Sequence, residues 1–435
     1  MRGDIIGNIQ KFETRALHAG NIADESRAHA APIHRTSAYL FRDTEHAANL
    51  FNLKEPGNIY TRLQNPTQEV LENRMASLEG GAAALAVASG TSAIFYSIAN
   101  ICRKGDEVVS VRTLYGGTYT MFDSILADFG IKVNFVDGGD PGAIAGAVND
   151  NTRALYTETI GNPLLDVANI KVLSGIAEEH HIPLIVDSTF TTPYLLRPIE
   201  HGADIVVHSL TKWLGGHGTG IGGIVIDSGR FDWTDGKFAF YNEPDASYHG
   251  LRWAHDLGEL NPQAFILRMR LVPLRNLGAC ISPDNAWLFL QGIETLALRM
   301  QRHCDNALRI AEHLKDHPRV EWVRYPGLKD DPYHGLASDQ FENGYGGMVV
   351  FGIKGGERAG AAFIDSLKLV SHVSNVGDAK SLAVHPATTT HSQLTDEQKA
   401  ACGITPELIR LSIGIEHVDD IIEDIDSALR TSGGN

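Results

Sequence analysis

Six short apolar runs, DEVVSV, IKVNFVD, RALYTET, IPLIVD, DIVVHS and GGIVI, follow one another between residues 106 and 226. Amphipathic segments such as GGTYTMFDSILADFG and IKVLSGIAEEHH separate the first five. Strands this short and this apolar are buried on both faces, and helix-length connections between them require crossovers rather than hairpins. The pattern therefore predicts βαβ units on a mostly parallel sheet.

A helical pattern begins at about residue 68 (TQEVLENRMASLEGG), with the glycines as its C-terminal stop. Residues 80–102 carry no charge and are long enough to span a bilayer. They are mostly Ala, Gly and Ser, broken by Ser-Gly-Thr, so a strand, a tight turn and a buried helix are expected instead. Beyond the sheet, residues 230–280 are irregular and aromatic and read as an insertion. A long helical pattern through NAWLFLQGIETLALRMQRHCDNALRIAEHLKDH follows. After it come strands VEWVRYPG and GMVVFGIK, a helix near RAGAAFIDSL and a strand ELIRLSIGIE, the mixture of an α+β unit. Three parts result: an extended arm over 1–67, an α/β domain over 68–285 and a smaller α+β domain over 286–435.

The net charge of −16 over 435 residues argues against nucleic-acid and anionic-membrane partners. Four cysteines without CxxC spacing suit reduced thiols in a cytoplasmic protein better than a disulfide framework or a zinc site. The N-terminal MRGDIIGNIQKFETR has no apolar core segment, so no signal peptide is expected.

The chemistry gathers at strand ends, where open parallel sheets bind ligands. HSLTKWLGGHG sets Lys212 between Ser209 and Thr211 just after a buried strand. Most lone lysines are merely solvated; an amine at such a place can instead attack a carbonyl. Asp187 ends IPLIVD, where a turn or capping role is the ordinary reading. Ser89, Gly90 and Thr91 fall where a strand turns into a helix, whose free N–H groups make an anion site. Tyr115, beside two glycines in TLYGGTY, could cover an aromatic ring, although a lone tyrosine is more often core. Competing motifs fail in context: GTGIGG precedes a strand instead of opening a helix, the lysine comes before the glycines of any P-loop, and no HExxH occurs. A lysine, an aspartate and an anion cup together suggest pyridoxal 5′-phosphate.

From ETRALHAG to LSIGIE the chain resembles the Cys/Met-metabolism family of pyridoxal-phosphate enzymes. NIYTRLQNPT, ASGTSA, LYGGTY, ETIGNP, IVDSTF, HSLTKWLGGHG and HPATTTH occur in the family's order. The resemblance implies an aspartate-aminotransferase-like fold (fold type I) with a seven-stranded type of sheet and a C-terminal α+β domain. It also implies Lys212 as the covalent anchor of the cofactor and proton shuttle, Asp187 on the pyridine nitrogen, Tyr115 on the ring and Asn162 on the ring hydroxyl. Ser89, Gly90, Thr91, Ser209 and Thr211 would hold the phosphate, with Tyr60 and Arg62 reaching it from a neighbouring subunit of a homo-oligomer, a dimer or dimer of dimers. Arg410 would clamp the substrate carboxylate, and Asn375, where many relatives carry serine, would lie beside it.

Within the family, NVGDAKSL, the insertion with NEPDASYHGLRW, and PDNAWLFLQGIETLALRM point to γ-replacement on O-acetyl-L-homoserine with sulfide or a small thiol. The alternatives in the family are cystathionine γ-synthesis, sulfhydrylation of O-succinylhomoserine and γ-elimination from methionine. A catalytically silent scaffold on the same fold has no need of Lys212, Asp187 and Arg410 together.

Overall fold

The computed structural model describes residues 11–21, 27–389 and 403–432. Each of the six apolar runs is a strand: β2 Glu107–Val111, β3 Lys132–Val136, β4 Thr152–Glu158, β5 Leu184–Asp187, β6 Ile205–Ser209 and β7 Gly223–Asp227. The uncharged stretch supplies β1, Ala83–Val87, and the helix Gly90–Ala99; no helix of the described residues is long and apolar enough to cross a membrane. The sheet has seven strands in the order β1-β7-β6-β5-β4-β2-β3. Neighbours from β6 through β3 are parallel, while β7 is antiparallel to both β6 and β1. β1 therefore runs with β6, and the carboxyl ends of six strands share one edge.

Alternate strand residues enter two separate cores. Val109, Leu155, Val186 and Val206 face one side with the helix Pro66–Glu79, while Val108, Tyr156, Ile185 and Val207 face the other. Asn65 starts Pro66–Glu79 by accepting the Thr67 N–H at 2.9 Å, and Gly80 ends it at φ +79°. Residues 230–280 are short helices and turns, yet their aromatic side chains belong to the second core. Trp233 stacks on Tyr241 at 4.4 Å and on Phe265 at 5.3 Å, and Trp253 is fully buried. The aromatic density is thus core packing carried on an irregular backbone.

The second sheet has five strands: β8 Val320–Arg324, β9 Met348–Ile353, β10 Ser371–His372, β11 Leu382–Val384 and β12 Leu408–Ser412, in the order β10-β11-β12-β9-β8. Only β10 and β11 pair in parallel. The terminal helix Val418–Thr431 covers this sheet with Val418, Ile421, Ile425 and Leu429, a helical stripe not singled out in the sequence. The long helical pattern breaks at Thr295 into Pro283–Glu294 and Leu296–Lys315. The break has a cause: the Gly292 carbonyl accepts both the Thr295 N–H at 3.3 Å and Arg299 Nη2 at 2.7 Å. Within the arm, the segments Phe12–His18 and Thr44–Phe51 are helical.

One buried ion pair ties the helix Pro66–Glu79 to the sheet. Glu79 Oε1 meets His208 Nε2 at 2.5 Å, and both side chains are fully buried. Removing one partner of such a pair leaves a charge in the core, whereas replacing both by apolar groups is nearly neutral. His208→Leu and Glu79→Leu should each lose about 3–5 kcal/mol of stability, and the double variant should recover most of it, as read from denaturant midpoints.

Candidate active site

The shared strand edge collects side chains from distant parts of the chain. At the end of β1, Ser89 caps the helix Gly90–Ala99 by accepting the Ser92 N–H at 3.0 Å. The N–H groups of the first turn, Gly90 and Thr91 among them, have no intrahelical acceptor. A Cβ at Gly90 would lie 2.7 Å from Ser209 Cβ, so glycine lets this helix start approach the end of β6. Ser209 N–H donates to Thr189 Oγ1 at 2.9 Å, tying β6 to the turn after β5. The Thr211 hydroxyl is already engaged: it accepts the Gly222 N–H at 3.1 Å and donates to the Gly222 carbonyl at 3.3 Å. Of the expected anion donors, the helix start and Ser209 thus lie close together, while the Thr211 hydroxyl is bonded to Gly222.

Lys212 sits in the turn beyond β6. Its Nζ donates to Asn375 Oδ1 at 2.5 Å, and burial together with the charge of Arg410 lowers it to about 8. Arg410 projects from β12 of the second sheet, and its Nη1 donates to Asn162 Oδ1 at 3.2 Å. Lysine and arginine can only donate, so both asparagines must present oxygen here, which leaves the Asn162 amide N–H groups for other partners. Burial lowers Arg410 to about 10, with Tyr115 opposing, so it stays charged at neutral pH. Among the described residues it forms no ion pair, and its buried Nε has no acceptor. A buried cation left so is costly unless an anion arrives.

Asp187, at the end of β5, accepts the Thr189 N–H at 2.9 Å. Burial raises its carboxyl, while Thr189 and the charge of His208 oppose the rise. Tyr115 precedes the short helix Gly116–Thr120 and is 54% exposed, its ring beside the strand edge. A Cβ on Gly117 would lie 2.6 Å from the Tyr115 ring, so this glycine makes room for it. Tyr60 and Arg62 stand apart. The Arg62 guanidinium lies 5.3 Å from the centroid of the Tyr60 ring, and among the described residues no hydrogen bond or ion pair joins either to Lys212, Gly90 or Ser209. The end of HPATTTH, Thr390 and His391, lies outside the described residues.

Two residues were not legible as part of the site. Glu158, ending β4, accepts the Tyr115 N–H at 2.7 Å and stands in register with Asp187. Arg299, from the helix Leu296–Lys315, donates to the Trp213 carbonyl at 2.7 Å, the Leu214 carbonyl at 3.2 Å and the Gly292 carbonyl at 2.7 Å. It fastens the turn directly after Lys212. No sequence pattern announces a side chain whose partners are distant carbonyls. Arg299→Met strands those buried acceptors and should lower stability by about 2–4 kcal/mol, whereas Arg299→Lys, with one point of donation, should lose less. Denaturant midpoints of the two variants measure the difference.

Residues 13–430 match the family model described as Cys/Met metabolism PLP-dependent enzyme. The O-acetyl-L-homoserine sulfhydrylase of Leptospira meyeri is 53% identical over 427 residues, covering 97% of each chain. The homocysteine synthase of Schizosaccharomyces pombe is 47% identical over 97% of this chain and 99% of its own. A solved Campylobacter jejuni structure, described as an O-acetylhomoserine (thiol)-lyase with N′-pyridoxyl-lysine-5′-monophosphate, superposes at a TM-score of 0.94 with 40% identity. It is covered over 100% of its chain by 97% of this one. The lysine, aspartate and helix-start cup thus stand in a chain that belongs to the Cys/Met metabolism family of PLP-dependent enzymes, with pyridoxal 5′-phosphate as its cofactor.

Proposed function

We propose that this enzyme exchanges the acetate of O-acetyl-L-homoserine for sulfide, or a small thiol, giving L-homocysteine or its homologue. Similarity to sulfhydrylases and homocysteine synthases over nearly the whole chain supports the choice of substrates. The structural observation that carries the reading is Arg410, a buried cation facing Lys212 and lacking an acidic partner among the described residues. Its guanidinium fork suits the planar carboxylate of an amino acid.

The residues present fit the cofactor. A phosphate matches the first-turn N–H groups at Gly90 and Thr91 beside Ser89 and Ser209, which the missing Cβ of Gly90 lets come close together. Asp187 would face the pyridine nitrogen, Tyr115 the ring and Asn162 the ring hydroxyl, with Thr211 bracing the phosphate loop. When bound, pyridoxal phosphate supplies an electron sink that acidifies hydrogens at Cα of an amino acid.

The chain's own residues do the rest. Arg410, with Asn375 beside it, orients the substrate carboxylate. Lys212, free of its anchoring role once substrate amine is seated, takes the Cα proton as a neutral amine. A second deprotonation at Cβ lets acetate leave Cγ, the sulfur nucleophile adds there, and protons return to Cβ and Cα as the product is released. One acetate leaves and one sulfur enters, so the amino-acid skeleton is unchanged.

The purified enzyme should release acetate and form homocysteine from O-acetyl-L-homoserine and sulfide. Turnover only with another ester, or only with cysteine as donor, would remove this reading. In the same assay Arg410→Lys should raise KM about tenfold to a hundredfold at unchanged cofactor content, because a point charge replaces a bidentate fork.

The reading extends to assembly. Tyr60 and Arg62 would complete the phosphate site of a second copy, in a dimer or a dimer of dimers. Their lack of contact with their own chain's lysine cluster supports this, as do Leu40, 99% exposed, and the exposed Phe41, Phe51 and Leu53 on the same arm. A cytoplasmic setting is supported by Cys102 and Cys304, free thiols that burial pushes up and renders inert. Arg62→Ala and Lys212→Ala enzymes should each be weak or inactive. Random pairing of the two makes half the dimers hybrid, so about a quarter of all sites should regain both parts. No recovery, with hybrids confirmed by mass, would place Arg62 outside any shared site.

A further inference from the structure

Glu158 and Asp187 are register partners at the carboxyl ends of β4 and β5. Adjacent parallel strands lie about 4.8 Å apart, and paired residues point to the same face. Glu158 therefore stands beside Asp187 on the face that the ring nitrogen would meet. Tyr156, two residues earlier on that face, is fully buried beneath them, and no described arginine or lysine pairs with either acid. His208 acts on Asp187 from β6, but it is already committed to Glu79.

We propose that Glu158 is a positioning residue that stands as a neutral carboxylic acid beside an ionised Asp187, holding the Tyr115 loop by its N–H and leaving one negative charge at the strand ends. The proposal rests on the reading that Asp187 faces the ring nitrogen. Two buried carboxylates side by side cannot both ionise without a second counter-charge, and the ring nitrogen brings one. Donor count decides which acid ionises. Asp187 has the Thr189 amide at 2.9 Å, the Thr189 hydroxyl and the nearby charge of His208. Among the described residues Glu158 has the Tyr115 amide alone, at 2.7 Å. Burial and the charge of Asp187 push Glu158 well above the ordinary carboxylate range, and burial with the charge of Asp187 raises the Tyr156 phenol as well.

The protonation state also sets a stability signature. A carboxyl raised in the folded protein contributes stability in full below its unfolded value, about 4.3, and loses it as pH rises through the folded value. Glu158→Gln keeps the shape and the acceptor for Tyr115 N–H but cannot ionise. In the full chain stripped of cofactor, this variant should flatten the fall of melting temperature between acid and mildly alkaline pH. In cofactor titrations it should bind pyridoxal phosphate within about twofold of wild type, whereas Glu158→Ala, which strands the Tyr115 amide, should weaken binding about tenfold or more.

Equal weakening by both variants would mean that charge at Glu158 is used, and would overturn the proposal. So would unweakened binding in Glu158→Ala, or an unchanged pH slope in Glu158→Gln. Asp187→Asn separates the two readings. If it leaves cofactor affinity and spectrum unaltered, the assignment of Asp187 falls, while the melting arm still decides whether Glu158 carries the proton.

Discussion

Arg299 fixes where the two sheets meet. By donating to three carbonyls, two of them directly after Lys212, it pins the lysine turn to the helix that leads into the second sheet. The loop after β10 grips the same turn from the other side: the Ala379 N–H reaches the Gly216 carbonyl at 2.8 Å, and Asn375 takes the lysine amine itself. Gly377 runs so close to the Trp213 backbone that a Cβ there would lie 2.6 Å from its nitrogen. Rotating one sheet against the other would break these contacts together. Arg410, from the second sheet, stays beside Lys212, from the first, because this joint does not slip.

The joint also explains an economy of buried charge. Arg299 lacks an acid among the described residues but donates to three carbonyls and, from Nε, to the Thr295 hydroxyl at 3.4 Å, so its charge is solvated mainly by the backbone. Arg410 is solvated less completely, with one asparagine oxygen on Nη1 and an orphaned Nε. Glu79 and His208 bond to each other beneath the strand edge. Of the two buried arginines beside the lysine turn, one is thus well satisfied by the structure and the other is left wanting.

The strands were legible because their signal is local: six apolar runs of the right length, with Asp187, Ser209 and Lys212 at or just beyond their ends. The helix stop at Gly80 was legible for the same reason. What escaped depends on tertiary contact. Glu158 sits in RALYTET as an acid in an apolar run, and its meaning appears only when register sets it beside Asp187. The break at Thr295 is invisible in a continuous helical stripe, because its cause is the demand of Arg299 for a backbone carbonyl. Residues 230–280 lack a period, yet their aromatic count was a usable sign of burial, since Trp233 and Tyr241 stack within the core. The arm's helix Thr44–Phe51 starts on Asp43, which accepts the His46 N–H at 2.7 Å, a cap masked by the surrounding loop composition.

The link between Arg410 and Lys212 has a consequence for the proposed reaction. Burial depresses the lysine first, and the charge of Arg410 depresses it further. A substrate carboxylate on Arg410 would offset that second influence while leaving the first in place. The amine would then be a stronger base, once released with its substrate seated, than it would be beside an unpaired Arg410. In the proposed reaction, binding and proton abstraction would be coupled through this one buried guanidinium. A lysine at position 410 would keep the charge but not the planar fork, so it would preserve the depression of Lys212 while loosening its release. That asymmetry follows from geometry, because both cations act alike on the amine and only one matches the carboxylate.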